Sequence, residues 1–125
     1  MNLLLLTMLV TSFVAGRPVP VSCDTIPGGH AGRYDIPRDV IVLSPLACVG
    51  FTARTGSRAQ AVAVYSLVHE AEHAAGILDE HQADCAAFAA FPTVVKRAGL
   101  SRLLVRWAQG IHDSFPAPYS GACTT

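Results

Sequence analysis

The sequence predicts an α+β fold, mostly α, with one short β-sheet, and three observations predict it. A compact β-branched run, Asp39-Val40-Ile41-Val42-Leu43-Ser44, is stopped by Pro45 and reads as a strand. From Arg58 to Ala75 the chain is Ala-rich and free of Gly and Pro, the composition of a helix. A second helical stretch follows from about Glu80, and a third from about Val94. The length of 125 residues leaves room for a single domain.

Residues 1–16, MNLLLLTMLVTSFVAG, hold no charged side chain and carry the apolar runs Leu3–Leu6 and Met8–Val10. They are expected to form a signal peptide, with Val14 and Gly16 suiting the small-residue cleavage rule. Because no Lys or Arg precedes the apolar run, a retained membrane anchor is the second reading and a buried N-terminal element the third. Residues 17–125 are the domain proper. Arg17 to Arg33 holds Pro18, Pro20, Pro27, Gly28, Gly29 and Gly32 and is expected to be loop. The strand over 39–44 comes next, with a partner strand before it.

Phe51 to Ser57 is a polar connector, and the helix over 58–75 then presents Val64, Leu67, Val68, Ala71 and Ala75 as a core stripe at three- and four-residue spacing. Gly76 ends it. Asp79 is a natural N-cap for the second helix, which is expected to close at Pro92. The third is expected to run to Gln109 with a break near Gly99 and with Val95, Leu103, Leu104 and Trp107 in the core. The tail from Phe115 reads as loop.

Nine basic residues balance nine acidic ones, and only 14% of the chain is charged. That excludes a polybasic nucleic-acid surface and a disordered acidic tail. Four cysteines, Cys23, Cys48, Cys85 and Cys123, beside an apolar leader point to disulfides and an oxidising compartment. No C-x-x-C pair is present, which disfavours a cysteine zinc site. Three connectivities are open, and Cys23 with Cys48 and Cys85 with Cys123 is the expected one, tying an N-terminal loop to a strand and the C-terminal tail to a helix.

Five of the nine acids (Glu70, Glu72, Asp79, Glu80, Asp84) fall between positions 70 and 84, beside three of the five histidines. Residues 69 to 73 read His-Glu-Ala-Glu-His, an H-E-x-x-H motif on a segment expected to be helical. Four residues advance a helix by about 400°, so His69 and His73 lie on one face and can share a zinc ion. Glu70 on the adjoining flank can take a proton from water at the metal, the general-base role. Two positions compete to be the third ligand. With Asp79 the string reads H-E-x-x-H-x-x-G-x-x-D, which resembles the metzincin pattern, but metzincins need a methionine turn and the only methionines are Met1 and Met8. With Glu80 the string Glu80-His81-Gln82-Ala83-Asp84 resembles the E-x-x-A-D helix of gluzincins.

The second resemblance is the favoured one. It covers roughly residues 39 to 90 and is similar to the CAAX prenyl endopeptidases with their bacterial membrane relatives, to minimal gluzincins and to short exported bacterial proteins with this motif. It implies a zincin-like domain with Glu80 as third zinc ligand, Asp84 as the acceptor orienting a ligand histidine, and an edge strand above the metal, for which Val40 to Ser44 is the candidate. The function so implied is a zinc metallopeptidase, secreted or anchored outside the cytoplasm, acting on a peptide or protein substrate, with no cofactor beyond zinc. A non-catalytic, zinc-binding, disulfide-stapled secreted module is the alternative, and a stapled module without metal the third reading. Tyr34, Tyr65, His112 and Tyr119 are the candidates for stabilising an oxyanion. His30 and His81 are read as non-ligands, and Lys96, Arg97, Arg102 and Arg106 as a solvated face.

Overall fold

A computed structural model describes residues 2–116 and 121–123. Its order of elements is α1 (Leu3–Ala15), β1 (Val21–Cys23), a 3₁₀ turn at Pro27–Gly29, β2 (Gly32–Asp35), β3 (Val40–Leu43), α2 (Pro45–Gly50), α3 (Arg58–Ala74), α4 (Glu80–Arg97), a 3₁₀ segment at Arg102–Trp107 and α5 (Ala108–Ser114). The fold is thus α+β and mostly α, as the composition predicts.

The run free of Gly and Pro becomes the central helix. Ser57 caps α3 by accepting a hydrogen bond from the Gln60 amide, and the helix is buried around most of its circumference. Val64, Leu67, Val68 and Ala71 are at most 1% exposed and form the core stripe, whereas Ala75 lies beyond the helix end and is exposed. Gly76 takes φ 108°, which lets its own amide reach the His73 carbonyl and the Ile77 amide reach that of Glu72. That tight turn sends the chain directly into α4, capped by Asp79 through the Gln82 amide at 2.8 Å.

Helix α4 does not close at Pro92 but runs on to Arg97. A proline inside a helix removes one amide donor, and here Phe91, Val94 and Val95, each at most 2% exposed, carry the helix past it by packing into the core. The expected third helix is replaced by a turn with Gly99 at φ 69°, the 3₁₀ segment and α5. Leu104 and Val95 are buried as expected, but Leu103 is 54% exposed.

The sheet has order β1-β3-β2, with β1 parallel and β2 antiparallel to β3. Two of its strands fall in or at the end of the segment expected to be loop. The expected strand is the central one, its pairing trimmed to Val40–Leu43 because Asp39 adopts φ 54° outside the ladder. Ile41 and Leu43 are fully buried under α3. Helix α2, which the sequence reading omits, starts at the Ser44 cap with Pro45 in its first turn. Its Gly50 packs so tightly on α3 that a Cβ there would lie 2.6 Å from the Ala59 carbonyl oxygen.

Both expected disulfides form, Cys23–Cys48 and Cys85–Cys123. The first joins strand β1 to helix α2, rather than a loop to a strand. Two such bonds fit an extracellular protein.

Helix α1 packs against α3, burying Leu6, Thr7, Val10 and Thr11. The Thr11 hydroxyl accepts from the Val19 amide at 3.0 Å and donates to the Thr7 carbonyl at 2.8 Å. Its other face leaves Leu3, Leu4, Leu5, Met8, Leu9 and Phe13 exposed. At 13 residues α1 is about 20 Å long, and among the described residues no helix is long and apolar enough to cross a membrane.

Candidate metal centre

The α3–α4 hairpin brings His69, His73 and Glu80 together, with one ligand atom from each lying within 4.8 Å of the others. The Glu80 carboxylate spans the two rings: Oε2 is 3.2 Å from His69 Nε2, and Oε1 is 2.8 Å from His73 Nε2. In a tetrahedral zinc site, bonds of about 2.0–2.1 Å put ligand atoms about 3.3 Å apart, so this spacing suits one ion after small shifts. The donor set of two imidazoles and a carboxylate is also what zinc takes in hydrolytic sites. His73 Nε2 is buried and, despite the nearby carboxylate, has no hydrogen-bond partner. A metal ion bound there would satisfy that buried nitrogen lone pair. The residues present therefore fit a metal.

Each histidine is oriented from behind. His73 Nδ1 lies 2.7 Å from the Ile77 carbonyl oxygen, an acceptor delivered by the tight turn at Gly76. His69 Nδ1 lies 3.3 Å from Oδ1 of the fully buried Asp84. Both acceptors demand the Nδ1–H form, which leaves Nε2 of each ring facing the shared point. Burial is the largest influence on the His69 imidazole and pulls its pKa down. The hydrogen bond to Asp84, with the charges of Glu70, Glu80 and Asp84, outweighs it and holds the pKa above the ordinary value. Asp79, the rival third ligand, is committed to the α4 cap.

Glu70 projects from the neighbouring flank of α3, beneath edge strand β2, and is 7% exposed. Burial, the dominant cause, and the Glu80 charge push its carboxyl up to about 7 against the opposing pull of His69 and the Tyr34 backbone amide. A base with that pKa exchanges protons near neutral pH. Gly32 of β2 makes the arrangement sterically feasible: a Cβ there would stand 2.9 Å from Glu70 Cγ and 3.1 Å from Glu70 Oε2. The sequence reading missed Gly32, although an isolated glycine entering a strand is the usual sign of a close backbone approach.

These groups open onto a cleft of about 730 Å³ lined by residues 26–34 together with Ile36, Ser66, Leu78, Phe115 and Pro116. Strand β2, not the expected 40–44 strand, is the edge beside the site, because β3 is covered on both sides by its neighbours. The β2 register is fixed at its end by Asp39, which accepts from the Tyr34 hydroxyl and takes Arg17 in a two-pronged ion pair at 2.6 and 3.0 Å. Arg17 also donates to the last carbonyl of α3, at Ala74.

Of the candidates for oxyanion stabilisation, Tyr65 is fully buried in the core, where burial raises its pKa, and His112 is buried behind Asp84. Tyr34 lines the cleft with its hydroxyl given to Asp39, and Tyr119 falls outside the described residues. His30 is exposed, as expected, and lies on the cleft wall. His81 turns from the cluster toward Cys85, 3.6 Å from its sulfur. Lys96, Arg97, Arg102 and Arg106 are all exposed. Comparison of the chain with protein-family models, with curated proteins and with solved structures finds no match.

Proposed function

We propose that this chain is a zinc-dependent metallopeptidase working outside the cytoplasm, secreted or held at a membrane through residues 1–16. The observation that carries the reading is the juxtaposition of a buried carboxyl group, Glu70, with a His69–His73–Glu80 group that can hold a metal ion, both opening on one cleft. A zinc ion there would supply Lewis acidity and bring the pKa of a water toward about 7. His69, His73 and Glu80 hold the ion, with Asp84 and the Ile77 carbonyl fixing the rings. Glu70, its carboxyl pushed up to about 7, accepts the proton from the attacking water and returns it to the leaving amine. The outer edge of β2, which no strand among the described residues pairs with, offers backbone groups other than the Tyr34 amide, already given to Glu70, to an extended peptide, with Ile36 and Leu78 as exposed apolar contacts.

One observation favours a second reading, a non-catalytic zinc module stapled by disulfides. The hydroxyl of Tyr34 is engaged with Asp39, and Tyr65 and His112 lie in the interior, so none of these three side chains offers a free donor in the cleft. Elemental analysis of the oxidised chain beside His73→Ala, Glu80→Ala and Asp79→Ala tests the metal: one zinc per chain is expected, lost in the first two variants and kept in the third. A peptide library then separates the readings. Cleavage abolished by Glu70→Gln supports the enzyme, zinc without cleavage supports the module, and no zinc in the unaltered chain overturns both.

A further inference from the structure

Behind the metal group, on the side away from the cleft, Asp84 has to satisfy two rings at once. Its Oδ1 faces His69 Nδ1 at 3.3 Å, and its Oδ2 makes a short contact with Nδ1 of His112. His112, 3% exposed, presents its other nitrogen to the Gly121 carbonyl oxygen at 2.7 Å. A carboxylate oxygen and a carbonyl oxygen can only accept. Both nitrogens of His112 therefore donate, which makes the ring an imidazolium paired with a buried carboxylate. Burial pulls its pKa down, and the Gly121 carbonyl with Asp84 more than offsets that, holding it above the ordinary value.

The Gly121 carbonyl is in turn held by covalent structure. Cys123, two residues on, is bonded to Cys85, the neighbour of Asp84 on α4, so the tail is pinned beside the carboxylate it helps to organise. A continuous line results: Gly121 carbonyl, His112, Asp84, His69. Without His112, Oδ2 of the fully buried Asp84 would lose its imidazolium donor, and the carboxylate would turn toward the donors that remain, the Tyr65 hydroxyl and His69 Nδ1.

We propose that His112 is a positioning residue for the metal centre: held by the disulfide-pinned tail, it fixes the Asp84 carboxylate and, through it, the ring of His69. This rests on the reading of His69 as a metal ligand. Loss of a group that orients a ligand in this way weakens metal binding by about 10- to 100-fold.

The test uses the full oxidised chain and zinc affinity measured by competition with a chromophoric chelator. His112→Phe keeps a ring of similar shape without the hydrogen bonds and should weaken zinc about 10- to 100-fold. His112→Gln retains one amide donor for Asp84 and should fall between the two. Leu104→Ala, a core truncation that leaves the hydrogen-bonded line intact, should lower Tm yet hold zinc within about twofold of the unaltered chain. A Cys85→Ser/Cys123→Ser pair, which frees the tail, should also weaken zinc, and it joins His112→Gln as the comparison if His112→Phe does not fold. A folded His112→Phe chain that binds zinc as tightly as the unaltered one overturns the proposal.

Nitrogen-15 NMR of the metal-free chain gives a second readout that a merely structural residue would not move. Both His112 nitrogens should be protonated, and His69 should hold its proton on Nδ1 until His112 is replaced, when that preference is lost. An unchanged His69 tautomer in the His112 variants overturns the proposal. If the unaltered chain takes up no zinc, the metal reading fails separately and the NMR result alone decides the role of His112.

Discussion

Replacing Glu70 by Gln in the metal-free chain should raise stability at alkaline pH, and the size of the effect follows from where Glu70 lies. Its carboxyl is pushed from an ordinary 4.5 up to about 7, mainly by burial. Between those two values the folded chain keeps a proton that the unfolded chain has released. The contribution of the neutral acid is thus complete below about pH 4.5 and is lost as pH climbs through about 7. At about 1.4 kcal/mol per pH decade, the full span corresponds to a loss of about 3 kcal/mol by pH 8. Glutamine keeps the shape and carries no proton to lose. Glu72, raised mainly by burial, gives both proteins the same downward slope, whereas the raised pKa of His69 owes part of its shift to the Glu70 charge, so the difference reports Glu70 together with its coupling to His69. The assay is urea unfolding of chelator-treated, oxidised protein at pH 5, 6, 7 and 8. The stability of Glu70→Gln relative to the unaltered chain should rise by about 2.5 kcal/mol between pH 5 and pH 8, the remainder being lost below pH 5. Parallel pH profiles would refute the reasoning, because they would mean that burial does not penalise the charged carboxylate.

Gly32→Ala should disturb the same carboxylate without removing it, since the new Cβ meets Glu70 Cγ at 2.9 Å. A cost of about 1–3 kcal/mol in urea unfolding is expected and, on the proposed function, a larger loss of peptide cleavage than of zinc content. Gly50→Ala drives a methyl group to 2.6 Å from the Ala59 carbonyl oxygen, so α2 must lift from α3; Tm should drop by the equivalent of about 1–3 kcal/mol or more, with metal binding retained. Replacing Cys23 and Cys48 by Ser opens a 25-residue loop and should cost about 3–4 kcal/mol in denaturant titration, with the oxidised parent as reference. Phe91→Ala, at a fully buried position against Tyr65, should cost about 3–5 kcal/mol by the same method.

What was legible in the sequence was what the chain determines locally. His69 and His73 share a face because of helix geometry alone, Asp79 caps α4 because its side chain reaches an amide three residues on, and Gly76 turns the chain because it tolerates φ 108°. Glu80 and Asp84 follow from the same helix. The sheet was less legible, since β1 is a three-residue strand flanked by prolines whose parallel pairing with β3 leaves no short-range signal. The continuation of α4 through Pro92 also escaped, because tertiary packing of Phe91, Val94 and Val95 overrides a local preference. His112 meets Asp84 across 28 positions of sequence, a contact that no local pattern announces. The apolar leader carries three readings in sequence, signal peptide, retained anchor and buried element, and in the structure one of its faces packs against α3.

The tight turn between α3 and α4 bears on the order in which the molecule assembles. His69, His73, Glu80 and Asp84 all lie on one helical hairpin whose connection is residues 75–79. Closing so short a loop costs little chain entropy, and helices form in about a microsecond or less. The cleft wall is a different matter. It needs β1 to pair in parallel with β3 while β2 fills the far edge, an arrangement of long-range contacts that forms slowly. The His69–His73–Glu80 group is therefore expected to assemble before the wall that shapes the cleft, and on the proposed metal-binding role an ion captured at that stage would favour every later state that keeps the hairpin closed. Zinc present during refolding should accordingly speed the recovery of native structure, beyond any effect it has on the finished protein.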